Sequence, residues 1–457
     1  MREPTPTNPP PIRGLEPDSW AHSTISVRFE DIARRVLMEN NFPAEKNARL
    51  CELIADIPDA HIHPLSDPGA PDIAAWNRYA APYLGMNWLE TPWFFAEHYF
   101  YRRIIAAVGY FQPVPRIDNP PVQRIGNPLY PPDPFAHTKQ RGLEHGLPTI
   151  RALAERLEHW LRFEQPGREI LLSLLYLDLW SNQADLSLWP ADTDSGDKPD
   201  HADLTQAQAY LLADDAPAVV DHLLTLSPNG RENSSLSLWE RVRVRARAST
   251  GARKLNNYES TRVDFLIDNA GVELVADLAF ADYLLTAGVA STVRLHLKEH
   301  PTFVSDAVPK DVDTSVTFLQ RDDAPSVCSL GERLRAHLVD ERLQMRTNFF
   351  WTSPLEGWKM PPALADELSE SDLVISKGDA NYRRLLGDRH WPDITPFADI
   401  VAYFPAPLVA LRTLKAELIC GLRPGQAESV AAEDPNWMVN GRWGVVQFCD
   451  YGSSSTL

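Results

Sequence analysis

The sequence predicts an α/β protein with a helical first part and a largely parallel sheet in its last part. Apolar residues recur at helical spacing from Thr24 to about Phe163. After Arg262 the pattern changes to short β-branched runs that alternate with helical segments, as in strands joined by crossover helices. Ligands of such sheets bind beyond the carboxyl ends of the strands. Residues that directly follow a strand are therefore the first candidates for function.

Composition and charge limit the classes of function. The chain has 457 residues, with 44 Lys and Arg against 62 Asp and Glu, so its net charge is −18. Because nucleic-acid binding depends on basic residues that neutralise phosphates, we expect no nucleic-acid partner. The 44% of hydrophobic and 23% of charged residues are typical of a soluble globular protein with two or three domains, or one large one.

The sequence carries the features of a cytoplasmic protein. No apolar run approaches the roughly 18 residues of a membrane span, and no apolar region follows the first basic residue, so we expect neither membrane association nor secretion. The four cysteines are far apart and form no CxxC pair, which argues against a disulfide framework or a zinc knuckle. They are Cys51, Cys328, Cys420 and Cys449.

Four regions are predicted along the chain. Residues 1–20 are rich in proline, which donates no backbone hydrogen bond, and are expected to be a disordered tail. Residues 21–225 form a helical region with apolar stripes wide enough to pack on neighbouring helices. Residues 226–250 form an insertion or surface loop that is locally basic, although the alternation in WERVRVRAR also suits an edge strand. Residues 251–457 form the α/β domain.

The α/β domain is predicted from alternating strand and helix patterns. The candidate strands are 263–268, 292–297, 344–351, 372–377 and 408–413. The candidate helices are 271–286, 326–343 and 380–387.

Polar residues cluster at the carboxyl ends of these strands and in the loops after them, at what should be one rim of the sheet. They are Asp268, Asn269, Glu273, Ser305, Asp306, Lys377, Gly378, Asp379, Asn381, Arg412, Thr413, Lys415 and Glu417. Two carboxylates and an amide form an oxygen-rich set that suits Mg²⁺ or Mn²⁺. Lys377, Arg412 and Lys415 would supply the positive charge that a phosphate needs. Taken alone, Asp268-Asn269 and Lys377-Gly378-Asp379 are more typical of a turn or a helix cap, so the prediction depends on the convergence of several such strand ends.

Four of these segments resemble the C-terminal motifs of the metal-dependent damage-control phosphatase family. They are FLIDNAGVELVADL, HPTFVSDAVPKDVDT, ISKGDANYRRLLGD and LRTLKAE. The last contains the Arg-Thr-x-Lys signature of the acidic residue methyltransferase-like branch, and WFFAEHYFYRRI and DLWSNQADLS also resemble that branch. The resemblance implies a helical N-terminal region packed on a C-terminal three-layer α/β/α domain that binds metal and phosphate.

The resemblance also implies roles for individual positions. Asp268, Asn269 and Asp306 match the metal ligands, and Lys415 matches the phosphate-binding lysine; with Asp379, which could orient the sugar or the water, they are the expected catalytic residues. The remaining expected substrate-binding residues are Glu273, Lys377, Gly378, Ala380, Asn381, Tyr382 and Arg412. The implied enzyme is a phosphomonoesterase that uses Mn²⁺, Mg²⁺, Co²⁺ or Ni²⁺ to hydrolyse small sugar phosphates or related phosphometabolites.

Other hypotheses stay open from the sequence. The same chain could methylate protein carboxyl groups with S-adenosylmethionine, although DNAGVE is a poor adenosyl-binding loop, or bind phosphometabolites without turnover. Asp311 and Asp313 resemble the nucleophile loop of haloacid-dehalogenase phosphatases, but a polar segment precedes them, so a helix cap is favoured. His61 and His63 have zinc-ligand spacing within a helical context, where a loop is favoured.

The stretch WFFAEHYFYRRI is most simply a packed helix, because aromatic residues dominate it. Its charged residues are the exceptions, and Glu97, Arg102 and Arg103 could instead face the cleft.

Overall fold

The computed structural model describes residues 8–112, 133–163, 166–181, 208–226 and 261–450. The predicted basic insertion, with its alternative edge strand, lies outside these residues apart from residue 226, and so does the end of DLWSNQADLS. Both stay predictions.

A seven-stranded sheet forms the centre of the molecule. Its strands are β1 (Leu211–Asp214), β2 (Arg262–Leu266), β3 (Thr292–Leu297), β4 (Leu343–Thr347), β5 (Leu373–Lys377), β6 (Leu408–Thr413) and β7 (Gly444–Cys449). Their order across the sheet is β1-β7-β6-β5-β2-β3-β4. The pairs from β6 to β4 are parallel, β7 is antiparallel to β6, and β1 is parallel to β7. The predicted largely parallel sheet is confirmed.

Helices from the first part of the chain pack on one face of this sheet. They are α1 (Trp20–Ser23), α2 (Phe29–Glu39), α3 (Ala44–Asp56), α4 (Ile73–Ala80) and α5 (Trp93–Ala107), with a π-helical turn at Thr24–Arg28. The next helix, α6 (Ala136–His145), instead contributes Leu143 to the core of the opposite face. The rings of Phe29 and Phe100 stack with centroids 4.3 Å apart. Both belong to a hydrophobic core that includes Leu266 and Val374 of the sheet. The helical part and the sheet therefore share one core.

The opposite face is covered by helices from both halves of the chain. They are α7 (Leu147–Trp160), α8 (Arg168–Ser181), α9 (Ala216–Leu226), α10 (Val272–Thr286), α11 (Pro309–Gln320) and α12 (Pro325–Val339). Because side chains alternate along a strand, Val263 and Phe265 join this second core while Leu266 joins the first. α10 contacts the sheet on one side and α7 and α8 on the other, which explains why its residues from Glu273 to Leu285 are all buried.

The last helices complete the first face. They are α13 (Pro362–Leu368), α14 (Gly378–Leu386), α15 (Phe397–Ile400) and α16 (Gln426–Glu433). Buried residues of all four belong to the core of that face. The helical region, the sheet and its two helical faces confirm the predicted fold class. Among the described residues, no helix is both long enough and apolar enough to cross a membrane.

All five predicted strands are present, with different ends in some cases. β4 ends at Thr347 rather than 351, because the Asn348 side chain accepts a hydrogen bond from the Phe350 N–H (2.9 Å) and starts a 3₁₀ turn at Phe349–Thr352. β1 and β7 were not predicted. β1 falls inside the predicted helical region, where four residues give too short a pattern to recognise.

Residues 8–20 pack against the fold, so the expected disordered tail does not hold for them. Ile12 is buried, its N–H donates to the Asp388 carbonyl (2.9 Å), and its carbonyl accepts from the Trp93 N–H (2.8 Å). Tertiary partners thus supply the hydrogen bonds that the proline-rich segment cannot form within itself.

Candidate active site

A cavity opens at the carboxyl ends of β2, β5 and β6, where α1, α5 and α14 meet the sheet. Its volume is about 490 Å³ when the open mouth is included. It is lined by Trp20, Arg28, Trp93, Glu97, Tyr101, Asp268, Asn269, Phe303, Asp306, Asp379, Ala380, Arg383 and Lys415. Six of these residues were predicted to belong to the site, and they come from four separate segments.

Asp268, Asn269 and Asp306, here called the cavity cluster, are brought together by backbone pairing of two loops. Asn269 and Asp306 form an antiparallel bridge. The Ala307 N–H donates to the Asp268 carbonyl (2.8 Å). The loop after β2 is thereby joined to the loop after β3, and both carboxylates reach the same wall of the cavity.

Side-chain hydrogen bonds fix the orientation of the cavity cluster. Asn269 Nδ2 donates to Asp268 Oδ2 (3.0 Å) and to Glu273 Oε2 (2.8 Å). Lys298 Nζ lies 3.1 Å from Asp306 Oδ2. All five side chains are buried, so these bonds form where water competes little.

Gly378, the first residue of α14, makes a close approach to Asp268. Its φ is +80°, and a Cβ at this position would lie 1.8 Å from Asp268 Oδ2. Only glycine combines this backbone conformation with room for the carboxylate. The N-terminal turn of α14 is therefore held against the cavity cluster.

Asp379 and Lys415 are positioned by Arg412. Arg412 Nε donates to Asp379 Oδ1 (2.7 Å), and its terminal nitrogens donate to the carbonyls of Leu418 (2.6 Å) and Ala416 (3.1 Å). The Lys415 N–H also donates to Asp379 Oδ1 (3.2 Å). Arg412 is fully buried and ties the loop that carries Lys415 to α14, so it shapes the cavity wall from behind.

Lys377 lies in a separate group of buried charges, here called the interior cluster. Its Nζ is 2.8 Å from Asp178 Oδ1, 3.0 Å from Asp277 Oδ1 and 3.8 Å from Glu273 Oε1. All four side chains are almost fully buried. The three carboxylates hold the pKa of the Lys377 ammonium above its usual value despite burial, while burial raises the pKa of the Asp277 carboxyl well above its usual value.

The three cations expected at one rim of the sheet do not all line the cavity. Lys415 lines the cavity, whereas Lys377 and Arg412 are buried behind it with carboxylate and carbonyl partners. Glu273, Asn381 and Tyr382 also lie behind the lining. Asn381 Nδ2 donates to the Lys377 carbonyl (2.9 Å), and the Tyr382 hydroxyl donates to Gln447 (2.7 Å). These positions support the wall rather than form it.

The sequence analysis missed most of the contribution from the helical part of the chain. Trp20, Arg28, Trp93 and Tyr101 line the cavity, although the aromatic residues on α5 were expected to be simple core. Of the charged residues on α5, Glu97 faces the cavity. Arg102 instead pairs with Asp67 and Asp72, and Arg103 with Asp56. The sequence feature that could have identified Glu97 is that it is the single carboxylate on the aromatic-rich helix α5.

Glu97 belongs to a rigid group of charges on the helical side. Arg383 donates to Glu97 Oε2 and, in a two-pronged contact at 2.7 and 3.1 Å, to Asp388. Its guanidinium also lies 3.6 Å from the centre of the Trp93 ring. Burial raises the pKa of Glu97, and the positive charge of Arg383 opposes that shift.

The cavity cluster fits a hard divalent cation. Among the described residues, His, Cys, Asp and Glu side chains do not by themselves form a group of three or more that could hold a metal ion. The cluster offers two carboxylates and an amide, and its open side leaves room for water or substrate oxygens. That donor set suits Mg²⁺ or Mn²⁺ better than the nitrogen- and sulfur-preferring Zn²⁺.

The other motifs have structural roles. Asp311 Oδ2 accepts from the Val308 N–H (2.9 Å) and from Lys139 Nζ (2.8 Å), so it caps α11, as expected. His61 and His63 lie outside the cavity in an exposed segment before α4, and His63 Nδ1 is 2.9 Å from the carbonyl of Pro64.

The chain is similar to known proteins over most of its length. The family model for the Damage-control phosphatase ARMT1-like domain matches residues 24–430. Damage-control phosphatase ARMT1 of Rattus norvegicus is 32% identical over 463 residues, covering 94% of this chain and 96% of the relative. The Homo sapiens protein of that name is 29% identical over 474 residues, covering 96% and 98%. A solved DUF89 family protein from Pyrococcus horikoshii aligns with a TM-score of 0.41 and 11% identity, over 88% of this chain and 92% of that one.

Proposed function

Because this chain belongs to the damage-control phosphatase ARMT1-like family, we propose that it is a divalent-metal-dependent phosphomonoesterase acting on small sugar phosphates or related phosphometabolites. The observation that carries the proposal is the convergence of Asp268, Asn269, Asp306 and Lys415 on one cavity wall. Oxygen ligands and an ammonium group together provide what phosphoryl transfer needs, which is mainly positioning and neutralisation of charge.

Each of these residues has a defined task in this proposal. Asp268, Asn269 and Asp306 would hold the cation, for which Mn²⁺, Mg²⁺, Co²⁺ and Ni²⁺ are the candidates. Bound there, a divalent cation stabilises charge on the phosphoryl group and activates water. Lys415 supplies a positive charge to the phosphoryl oxygens.

The N-terminal turn of α14 provides the second half of the phosphate site. Asp379 and Ala380 line the cavity, so the free backbone N–H groups of this turn lie beside it. The contact between Gly378 and Asp268 sets the spacing between this turn and the cavity cluster. Asp379, held by Arg412, is placed to orient the sugar or the attacking water.

The form of the cavity supports a small substrate. Most of the side chains that line it are charged or polar, and the rest are mainly aromatic, which suits a small polar molecule. The net charge of −18 disfavours a nucleic-acid partner. The four cysteines are free thiols, which supports the proposal of a cytoplasmic setting.

The methyltransferase alternative is not favoured. An adenosyl group would need space at the turn between β2 and α10. A Cβ on Gly271 in that turn would lie 3.6 Å from the Gly142 backbone of α6, so α6 occupies the space beside Gly271.

Phosphate release tests the proposal. We expect the protein to liberate phosphate from at least one member of a panel of hexose and pentose phosphates when Mn²⁺, Mg²⁺, Co²⁺ or Ni²⁺ is supplied, and to lose activity with a chelator. Inactivity with every substrate and metal would refute it. Thermal stabilisation by the same compounds without phosphate release would instead support a binding protein.

A further inference from the structure

The residues that line the cavity from the helical part of the chain, here called its helical side, have no role in the metal and phosphate functions proposed above. The metal and phosphate functions proposed above use the loops after β2, β3 and β6 and the start of α14. Trp20, Arg28, Trp93, Glu97 and Tyr101 come from the other side, and three of them lie on α5. A phosphomonoester that fills the cavity must place its organic part against these residues.

The charges on this side balance one another. Arg28 and Arg383 line the cavity with two positive charges; Glu97 lines it with one negative charge, and Asp388 adds a second from behind the lining, where it contacts Arg383. A side with no net charge has little preference for a second anionic group on the substrate. It suits an uncharged organic part that forms hydrogen bonds.

Glu97 is the strongest hydrogen-bond acceptor on this side. Within the described part of the chain, Arg383 is its one side-chain donor, and that bond uses Oε2. The remaining oxygen, Oε1, belongs to a carboxylate that lines the cavity. Because the double contact with Asp388 and the stacking on Trp93 immobilise Arg383, Glu97 is held in place before any substrate arrives.

Aromatic rings surround this acceptor. Tyr101 and Phe303 pack with ring centroids 5.1 Å apart, and Trp20 lines the same cavity. Flat apolar rings next to a fixed carboxylate match an organic group that has hydroxyls on its edge and C–H bonds on its faces.

We propose that Glu97 determines substrate specificity by accepting hydrogen bonds from hydroxyl groups on the organic part of the phosphomonoester. The inference rests on the proposed phosphatase function and adds a residue from the helical part of the chain to the site. It separates recognition on α5 from phosphate chemistry at the ends of the strands.

The test compares two substrates in wild-type protein and in Glu97→Gln. One substrate is the best-hydrolysed hexose or pentose phosphate of the panel, and the other is phenyl phosphate, whose organic part has no hydroxyl. Glutamine keeps the size of the side chain and an acceptor for Arg383. Since a hydrogen bond to a charged group contributes about 1.5–3 kcal/mol, we expect kcat/KM for the sugar phosphate to fall by about 10- to 150-fold. For phenyl phosphate it should change less than about twofold.

Asp388→Asn is the matched control. It removes a charge from the other partner of Arg383, at a residue that does not line the cavity, and asparagine tolerates the φ of +53° at this position. Asparagine keeps an acceptor oxygen for Arg383 Nε, and the stacking of Arg383 on Trp93 is unchanged, so Glu97 should stay in place. The ratio of the two kcat/KM values should therefore stay at the wild-type value in this variant. Thermal melts of both variants report whether the ion pairs matter for folding.

The outcomes separate the two proposals. A selective fall in Glu97→Gln with an unchanged ratio in Asp388→Asn supports the role of Glu97. Equal losses on both substrates, no loss on either, or a changed ratio in Asp388→Asn would overturn that role while leaving the phosphatase proposal intact. Absence of phosphate release by the wild-type protein from every substrate would overturn both.

Discussion

The interior cluster and the cavity cluster lie at the same end of the sheet and are joined through Asn269, which donates to a carboxylate of each. They differ in how their negative charge is compensated. Lys377 approaches all three carboxylates of the interior cluster and is itself fully buried. The three residues of the cavity cluster line a cavity that is open to solvent.

The difference shows why the same residue types serve two purposes. A buried carboxylate needs a partner, because removal from water costs several kcal/mol per charge. In the interior cluster that partner is part of the chain, so the charges fix the position of α8 and α10 against β5. In the cavity cluster Lys298 lies 3.1 Å from Asp306 Oδ2, and the cation proposed above would add to this compensation. The two clusters should therefore respond oppositely to substitution, one in stability and the other in activity.

The largest expected effect is on stability, in Lys377→Met. Removing the ammonium leaves Asp178 and its neighbours buried without their cation, which should lower the free energy of unfolding by about 3–5 kcal/mol. Lys359→Met is the control, because Lys359 pairs with Glu356 at 2.9 Å in an exposed position, where the loss should stay below about 1 kcal/mol. Urea unfolding measures both. Equal values for the two variants would contradict the description of the interior cluster.

Asp268→Asn should act on activity instead. Side-chain volume hardly changes, so the melting temperature should be preserved, while loss of one formal charge from the cavity cluster should reduce phosphatase activity by at least about 100-fold. The same change at half-exposed Asp313 should have little effect on either. If Asp268 merely capped a turn, asparagine would serve as well. A variant that keeps most of its activity would therefore remove the metal assignment.

Gly378→Ala tests the contact between α14 and the cavity cluster. The new Cβ would collide with Asp268 Oδ2, and the φ of +80° disfavours any side chain, so we expect a loss of about 1–2 kcal/mol of stability and of at least about tenfold in activity. Gly425→Ala is the matched control, because its φ is +78° and no atom lies within 4 Å of the added Cβ. It should reproduce the backbone strain and leave the activity unchanged. Equal activity losses in both variants would contradict the proposed contact.

The smallest effect is expected in Asp277→Asn. Because burial raises the folded-state pKa of Asp277 above 3.8, the folded protein keeps a proton that the unfolded chain loses as the pH rises, and this site then costs stability. Asparagine removes that cost, so the variant should differ from wild type by less than about 1 kcal/mol at pH 4. At pH 7 it should be equally or more stable. Asp178→Asn, which weakens a 2.8 Å contact to Lys377, should be clearly destabilised at pH 7. If unfolding experiments at pH 7 showed Asp277→Asn to be the less stable of the two variants, the proton would have to be assigned to Asp178 instead of Asp277.

The sequence alone predicted the α/β class, the five parallel strands and the six cavity residues, which lie in the loops after strands or begin α14. These features depend on local patterns, since β-branched runs of five or six residues and the polar residues after them are visible in any one segment. β7 was missed although it is equally apolar. No helical pattern follows it to mark a strand–helix unit, and it runs antiparallel to β6.

Tertiary structure alone decided which charges reach the cavity. Lys377 and Lys415 look equivalent in sequence, since each lies at or just after the carboxyl end of a strand. Lys377 nevertheless contacts Asp178 of a distant helix, whereas Lys415 lines the cavity. The same holds for Glu97, which lines the cavity together with Trp93 and Tyr101 of α5. A charge is expensive to bury, so its role depends on the partner that the fold brings to it, and partners separated by 199 residues, as in the pair of Asp178 and Lys377, leave no local trace in the sequence.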